Sequence, residues 1–288
     1  MTSYAVRDER LVCIPLRDGE RGSGDVATLV ADNRATDGGA AGWAALTAEL
    51  DRWRAAGRVA TLWWRDDDAR STGPALDRLL ALRRAAGVPL ALAVVPWGAD
   101  RALAERLAAE ADIAVLQHGW AHTNIAHPGD RKIELGTTRP AAHIAAELAM
   151  GLDTLTNWPG FVPVMVPPWN RIAPVLVPLL PELHFTGLST AKPRARLHPV
   201  RGLVQSNIHV DPIDWSTRAF AGEAQALDAA TAHLTARRLG TVDADEPTGL
   251  LTHHLVQDEA TWDFVARFLA AAAAQGAHWL SATQVFTT

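Results

Sequence analysis

The sequence predicts an α/β fold in which about seven or eight strand-and-helix units close into a distorted (β/α) barrel. Three observations carry this. Apolar runs of strand length recur along the chain, amphipathic Ala- and Leu-rich segments separate most of them, and unusual polar residues follow the ends of the runs. Repeated alternation of strand and helix implies parallel strands with helices outside, and that many units close most economically as a barrel. With 288 residues, 48% of them hydrophobic, the chain can bury a large core.

Each element has its own signal. Residues 18–42 are rich in Gly, Asp and Ala without periodicity and read as a loop or extension. Residues 41–56 then place Trp43, Leu46, Leu50 and Trp53 at helical spacing, with Gly57 as a stop. The expected organisation is an N-terminal extension over 1–57, ending in a helix packed on a barrel formed by 58–288, a single domain overall. Strands are expected at 59–64, 90–95, 113–116, 161–166, 184–188, 203–210 and 250–255, and helices at 75–86, 102–111, 141–155, 223–238 and 259–274. The polar sequences RDDD, PWG, QHGWAH, PPWN, DPIDW and THHL follow or end these strands. Ligands in α/β folds sit beyond the carboxyl ends of strands, so these segments should converge on one pocket.

Composition excludes several classes. A net charge of −5 with scattered Lys and Arg provides no basic stripe for nucleic acid. The single Cys13 reads as a small buried hydrophobe. No leader-like or membrane-length apolar segment is present, so a cytoplasmic protein without a membrane partner is expected. Barrel helices serve as outer surface or as interface with similar composition, so the oligomeric state is not set by it.

His118 and His122 stand four apart, and a run of carboxylates, Asp66, Asp67 and Asp68, follows the first strand. Two neutral imidazoles and one carboxylate suit zinc and its first-row neighbours, and three protein ligands leave positions open for water and substrate. The residues therefore point to a metal-dependent hydrolase. Bland readings also exist. The acidic run could be a solvated turn or helix cap, and Trp64, Trp97 and Trp120 could be core filling. His127 reads as a surface-loop residue, and the long segment between His122 and the helix at 141 as a lid.

Taken in order, Asp66-Asp67, His118-x-x-x-His122, Pro168-Trp169, Asp214-Trp215 and Leu251-Thr252-His253 resemble the five motifs of the polysaccharide deacetylase family, the NodB-homology carbohydrate esterases of family 4. The resemblance spans roughly residues 59–281 and implies the distorted barrel of that family. It implies that Asp66 is the general base, that Asp67, His118 and His122 hold the metal, and that His253, assisted by Asp214, protonates the leaving amine. Asp211 could replace Asp214, and His254 is the competing neighbour of His253. Trp169, Pro168, Trp215, Trp120 and His254 would line the substrate site. The metal would be Zn2+, with Co2+, Ni2+, Mn2+ or Fe2+ as alternatives. The substrate would be a carbohydrate or small molecule carrying an N-acetyl or related N-acyl group.

Two positions depart from the family pattern. Val166 stands where the family has an Arg paired with the base, leaving Arg171 as a replacement, and Asp68 stands where a Gly usually follows the acidic pair. Two other classes therefore stay in view: a catalytically silent carbohydrate-binding barrel, and a metal-free glycosidase using two carboxylates.

Overall fold

The computed structural model describes residues 33–287. Cys13 and most of the 18–42 stretch lie outside the described residues. Two units are distinguished along the chain, Met1–Asn33 and Arg34–Thr288, and the fold below is that of the second.

The described residues begin with helix α1 (Asn33–Ala55) and then alternate through β1 (Thr61–Ala69), α2 (Pro74–Ala86), β2 (Leu90–Val94), α3 (Arg101–Ala108), β3 (Ile113–His118), α4 (Ala141–Leu155) and β4 (Phe161–Val166). It continues through α5 (Leu179–Glu182), β5 (Gly187–Leu188), β6 (Val204–Gln205), a hairpin of β7 (Ile213–Asp214) and β8 (Ala219–Phe220), and α6 (Glu223–Leu239). It ends with β9 (Thr248–Thr252), α7 (Glu259–Ala274), β10 (His278–Leu280) and α8 (Ala282–Phe286). Helix α1 starts earlier than its periodicity suggests, and β5 and β6 are shorter than their apolar runs. The short elements β7, β8, β10 and α8 carry too few residues for a periodic signal.

All pairings from β1 through β6 are parallel, in that order, and β9 pairs parallel with β1. The ring closes where the chain after β6 reaches β9: Ala191 bridges Ile208, Val210 bridges Leu250, and His209 N–H donates to the Gly249 carbonyl at 2.8 Å. Gly249 is needed at this seam, because a Cβ there would lie 2.5 Å from the Asn207 carbonyl oxygen and 2.6 Å from Trp63 Nε1. Strand β10 adds to the start of β1, sharing that edge with β2.

Alternation along the strands sorts the core into layers. Leu62, Trp64, Leu92, Val94, Val115 and Leu250 face outward into the layer under α1, α2, α6 and α7. Trp63, Ala91, Ala93, Ala114, Leu116 and Leu251 face inward. Small alanines alternate there with one large Trp63, which meets Phe286 of α8 edge-on at 5.6 Å and fills the barrel base. Helix α1 buries Leu46, Leu50 and Trp53 against the outer layer, and the Trp53 indole N–H donates to the Leu234 carbonyl at 3.1 Å. Each such side chain contributes about 1.5–3 kcal/mol on full burial. Among the described residues no helix is long and apolar enough to cross a membrane.

Candidate active site

The alternation that sorts the core also sorts the carboxylates. Trp63 faces inward, so Arg65 and Asp67 share its face, whereas Asp66 follows Leu62 and Trp64 outward. Asp66 pairs in register with Thr252 of β9. It accepts from Thr252 Oγ1 at 2.6 Å, from the His254 backbone N–H at 3.0 Å, and pairs with His254 Nδ1 at 2.5 Å. Burial lowers His254, but the Asp66 carboxylate outweighs it and raises the imidazole above its usual value. This dyad is buried and absent from the cavity wall, so Asp66 is not placed to act on a substrate there.

Asp68 interrupts the alternation. Its φ of 75° is left-handed, and the register between β1 and β2 shifts between Asp66 and Ala69. The irregularity turns Asp68 toward the inner histidines, where Oδ1 lies 3.1 Å from His118 Nε2 and 3.2 Å from His122 Nε2. Among the described residues, the group whose ligand atoms draw together with these histidines is Asp68, His118 and His122; Asp67, expected there, is close enough to act on His118 by charge but is not in that group. Burial pushes the Asp68 carboxyl up, but hydrogen bonds from the two imidazoles hold it well below the usual carboxylate range. Burial lowers His118, while Asp67 and Asp68 raise it to a net value above the usual imidazole range.

His118 ends β3 on the inward face, continuing Ala114 and Leu116. Its Nδ1 meets the Val166 carbonyl at 2.9 Å. A carbonyl only accepts, so Nδ1 carries a proton and Nε2, here against Asp68, is the nitrogen left to face a metal, the usual orientation of a metal-binding histidine. His122 is set by the next turn. The Glu134 carboxylate accepts backbone N–H groups from Trp120 at 3.1 Å, Ala121 at 2.8 Å and Thr123 at 3.3 Å, wrapping the loop around itself. His122 itself has a φ of 57°. Gly119 makes the wrap feasible, since a Cβ there would sit 2.0 Å from Glu134 Oε2 and 2.6 Å from Pro168 Cδ. Sequence reading missed Glu134, whose only signal was an acid in a long polar excursion. That excursion is fastened rather than free: Leu135 bridges Ile172, and Asn124 Oδ1 accepts from Ala126 and Ile133. His127 is exposed on its turn, as expected.

Asp67 is held by Arg65. The guanidinium donates from Nε to Oδ1 at 2.8 Å and from Nη2 to Oδ2 at 3.0 Å, and both side chains are buried. Arg65 also donates to Ser189 Oγ at 2.6 Å and to Asn170 Oδ1 at 2.5 Å. The guanidinium missing at Val166 is thus supplied from β1 itself. Arg171 does not supply it, because its Nη1 donates to the Lys132 carbonyl at 2.8 Å.

Opposite these groups, His253 lines the cavity and His254 does not, as their opposite facing requires. His253 Nδ1 is buried without a hydrogen-bond partner among the described residues. Trp215 stands edge-on to its ring at 4.6 Å, and the indole N–H donates to Asp211 Oδ2 at 2.7 Å. Burial pushes the Asp211 carboxyl up against the opposing pull of His253. Asp214 is not brought to His253. Its Oδ1 accepts from the backbone N–H and hydroxyl of Ser216, closing the β7–β8 turn, and these bonds lower its carboxyl. Asp211 is the carboxylate on this side of the cavity, and it reaches His253 only through Trp215.

Trp169 lines the cavity with its ring 4.3 Å from that of His122, on a left-handed backbone shared with Asn170. Pro168 is buried behind it against Gly119, and neither Pro168 nor Trp120 lines the cavity. The cavity has a volume of about 1210 Å³, large enough for a ligand of several rings.

No family model and no curated protein sequence matches the chain. Solved structures do. The Bc1960 peptidoglycan N-acetylglucosamine deacetylase superposes with a TM-score of 0.50 at 14% identity, covering 80% of this chain and 89% of that one. A Mycobacterium smegmatis protein described as a polysaccharide deacetylase gives a TM-score of 0.50 at 18% identity, covering 78% and 88%. BA3943, a family 4 carbohydrate esterase pseudoenzyme from Bacillus anthracis, gives 0.49 at 13% identity, covering 80% and 66%. The chain has the distorted (β/α) barrel fold of the NodB-type polysaccharide deacetylases.

Proposed function

We propose that the protein is a metal-dependent hydrolase that removes an N-acetyl or related N-acyl group from a sugar or other small amide. The observation that carries this reading is the convergence of Asp68, His118 and His122 on one point of a large cavity also lined by Asp67 and His253. The donor set fits a divalent ion, since the carbonyl bond at His118 Nδ1 directs Nε2 to the cluster, where a metal would take the place of the proton it shares with Asp68. Asp68, His118 and His122 would hold zinc, or cobalt, nickel, manganese or iron in its place. When bound, such an ion supplies Lewis acidity, lowering the pKa of water and polarising an amide carbonyl.

The chain's own groups divide the proton transfers. Asp67 takes a proton from the attacking water; Arg65 fixes the direction of both oxygens and leaves each with a free lone pair. The water oxygen bonds to the carbonyl carbon, the C–N bond breaks, and His253 gives the departing nitrogen its proton. Acetate and a free amine leave. Trp215 and Asp211 hold the His253 ring in place, and Trp169 offers an indole face to a sugar ring.

The test is elemental analysis of wild type and His118→Ala, followed by acetate release from a panel of N-acetylated compounds with each metal added. About one equivalent of divalent metal, lost in the variant, with acetate released by wild type, is expected. Acetate release that survives chelation, or none under any metal, would sink the reading; the former would favour a metal-free hydrolase and the latter a binding protein.

A further inference from the structure

Five cations line the cavity: Arg131, Lys132, Arg171, Lys192 and Arg218. Four separate segments supply them: the excursion after His122, the stretch after Trp169, the loop between β5 and β6, and the β7–β8 hairpin. Many guanidinium groups elsewhere on the surface are matched with acids, as in Arg78 with Glu259, Arg106 with Asp77 and Arg267 with Glu223, although single arginines such as Arg196 and Arg201 are not. None of the five lining cations is in an ion pair among the described residues. The acids of the cavity do not serve as their counterions. Asp67 is held by Arg65, Asp68 lies between two imidazoles, and Asp211 accepts from Trp215.

This clustering runs against the charge of the whole chain, which is −5. It also runs against backbone preference. Lys192 has a φ of 73° and Arg218 a φ of 58°, and a non-glycine residue in a sparsely populated region costs about 1–3 kcal/mol unless its surroundings enforce it. They are enforced: Lys192 N–H donates to the Ile208 carbonyl at 3.1 Å, its carbonyl accepts from Asn207 Nδ2 at 2.7 Å, and Arg218 N–H donates to the Asp214 carbonyl at 2.7 Å. Burial and the neighbouring Arg131 cation hold Arg171 below the usual guanidinium range, so like charges are crowded here. Unmatched cations around a cleft focus its field outward and raise the local concentration of anions. Arginine forks further suit phosphate and carboxylate oxygens.

We propose that the amide opened at this site belongs to an anionic compound, whose phosphate or carboxylate is held among Arg131, Lys132, Arg171, Lys192 and Arg218 while its acylamino group reaches Asp68, His118 and His122. The acylamino half rests on the hydrolase reading, and the anionic half does not.

The experiment is calorimetric titration of the full chain with N-acetylglucosamine 1-phosphate, N-acetylmuramate and neutral N-acetylglucosamine. The better charged probe binds at least about tenfold more tightly than the neutral one, and the preference shrinks in about 0.5 M salt as the Debye length shortens. The double variant Lys192→Gln/Arg218→Gln loses most of that preference and keeps the wild-type affinity for the neutral probe. A preference for the phosphate or the carboxylate probe identifies which anion the rim is built for. Equal affinity for all three, no binding of either charged probe, or a preference unchanged in the double variant overturns the proposal. Titration reads binding without turnover. Selective anion binding with no acetate release under any metal would therefore remove the hydrolase reading alone, and acetate release from the neutral probe without anion preference would remove this one alone.

Discussion

Arg65→Met tests the buried pair that orients Asp67. Both partners are enclosed, with side-chain exposures of 0% for Arg65 and 2% for Asp67, so the carboxylate left behind meets little solvent beyond the cavity it borders. Breaking a buried pair from one side costs about 3–5 kcal/mol, because an uncompensated charge remains. The same change strands Ser189 Oγ and Asn170 Oδ1, both acceptors of Arg65. For a domain of this size the loss corresponds to a drop in Tm of about 6–20 °C. Denaturant unfolding of wild type, Arg65→Met, Asp67→Asn and the double variant closes the cycle. Asp67→Asn removes the charge that Arg65 compensates, so the double variant should regain roughly 2 kcal/mol relative to Arg65→Met, within the range of coupling for contacting groups. A cost below about 1 kcal/mol for Arg65→Met, or simple additivity in the cycle, would mean that Asp67 is oriented by something else.

The three adjacent carboxylates should separate by assay. Asp68→Asn loses bound metal, Asp67→Asn keeps the metal and loses about 10²–10⁴-fold in turnover, and Asp66→Asn keeps the metal while weakening the Thr252 and His254 contacts that flank His253; metal content and acetate release on the same preparations check all three. Glu134→Ala leaves three loop N–H groups without their acceptor and should weaken metal affinity about 10–100-fold, as loss of a supporting contact does, read by competition with a chelator. Stability should also fall with acid through His233. Burial, then His209 and Arg237, push this imidazole from 6.5 down to about 2, so the unfolded chain takes up the proton first. The contribution is complete above pH 6.5 and declines by about 1.4 kcal/mol per unit as pH falls toward the folded value. His233→Phe, which keeps a ring against His209, should flatten the stability profile between about pH 6.5 and 5, and an unchanged slope would disprove the assignment.

Much of the barrel can be read from the chain, because its helices are long and its central strands are runs of buried apolar residues. What escaped is what periodicity cannot express: the hairpin of β7 and β8, strand β10, and α8, each only a few residues long. At the site, the two histidines and His253 lie at the strand ends where the polar outliers suggested. In the proposed reading the carboxylate roles move by one position along the chain. Three consecutive Asp residues offer no mark of their own, and matching the first pair to a motif put Asp66 where Asp67 stands. The face could have been counted from Trp63, which shares it with Arg65 and Asp67, and that count would also have found the guanidinium sought at Val166. The positive φ of Asp68 had no such signal, since it arises from the register shift against β2.

The carboxylate of Glu134 that wraps the turn holding His122 also bears on transplantation. QHGWAHTN looks like a portable two-histidine cassette, yet the shape of its turn is imposed by an acid that arrives only after the chain has made a further excursion. Moved alone to another scaffold, the eight residues would bring the imidazoles without the left-handed turn that aims the second one. The smallest unit that carries its own geometry runs from Gln117 to Gly136, together with a surface as close-fitting as Pro168 to receive Gly119.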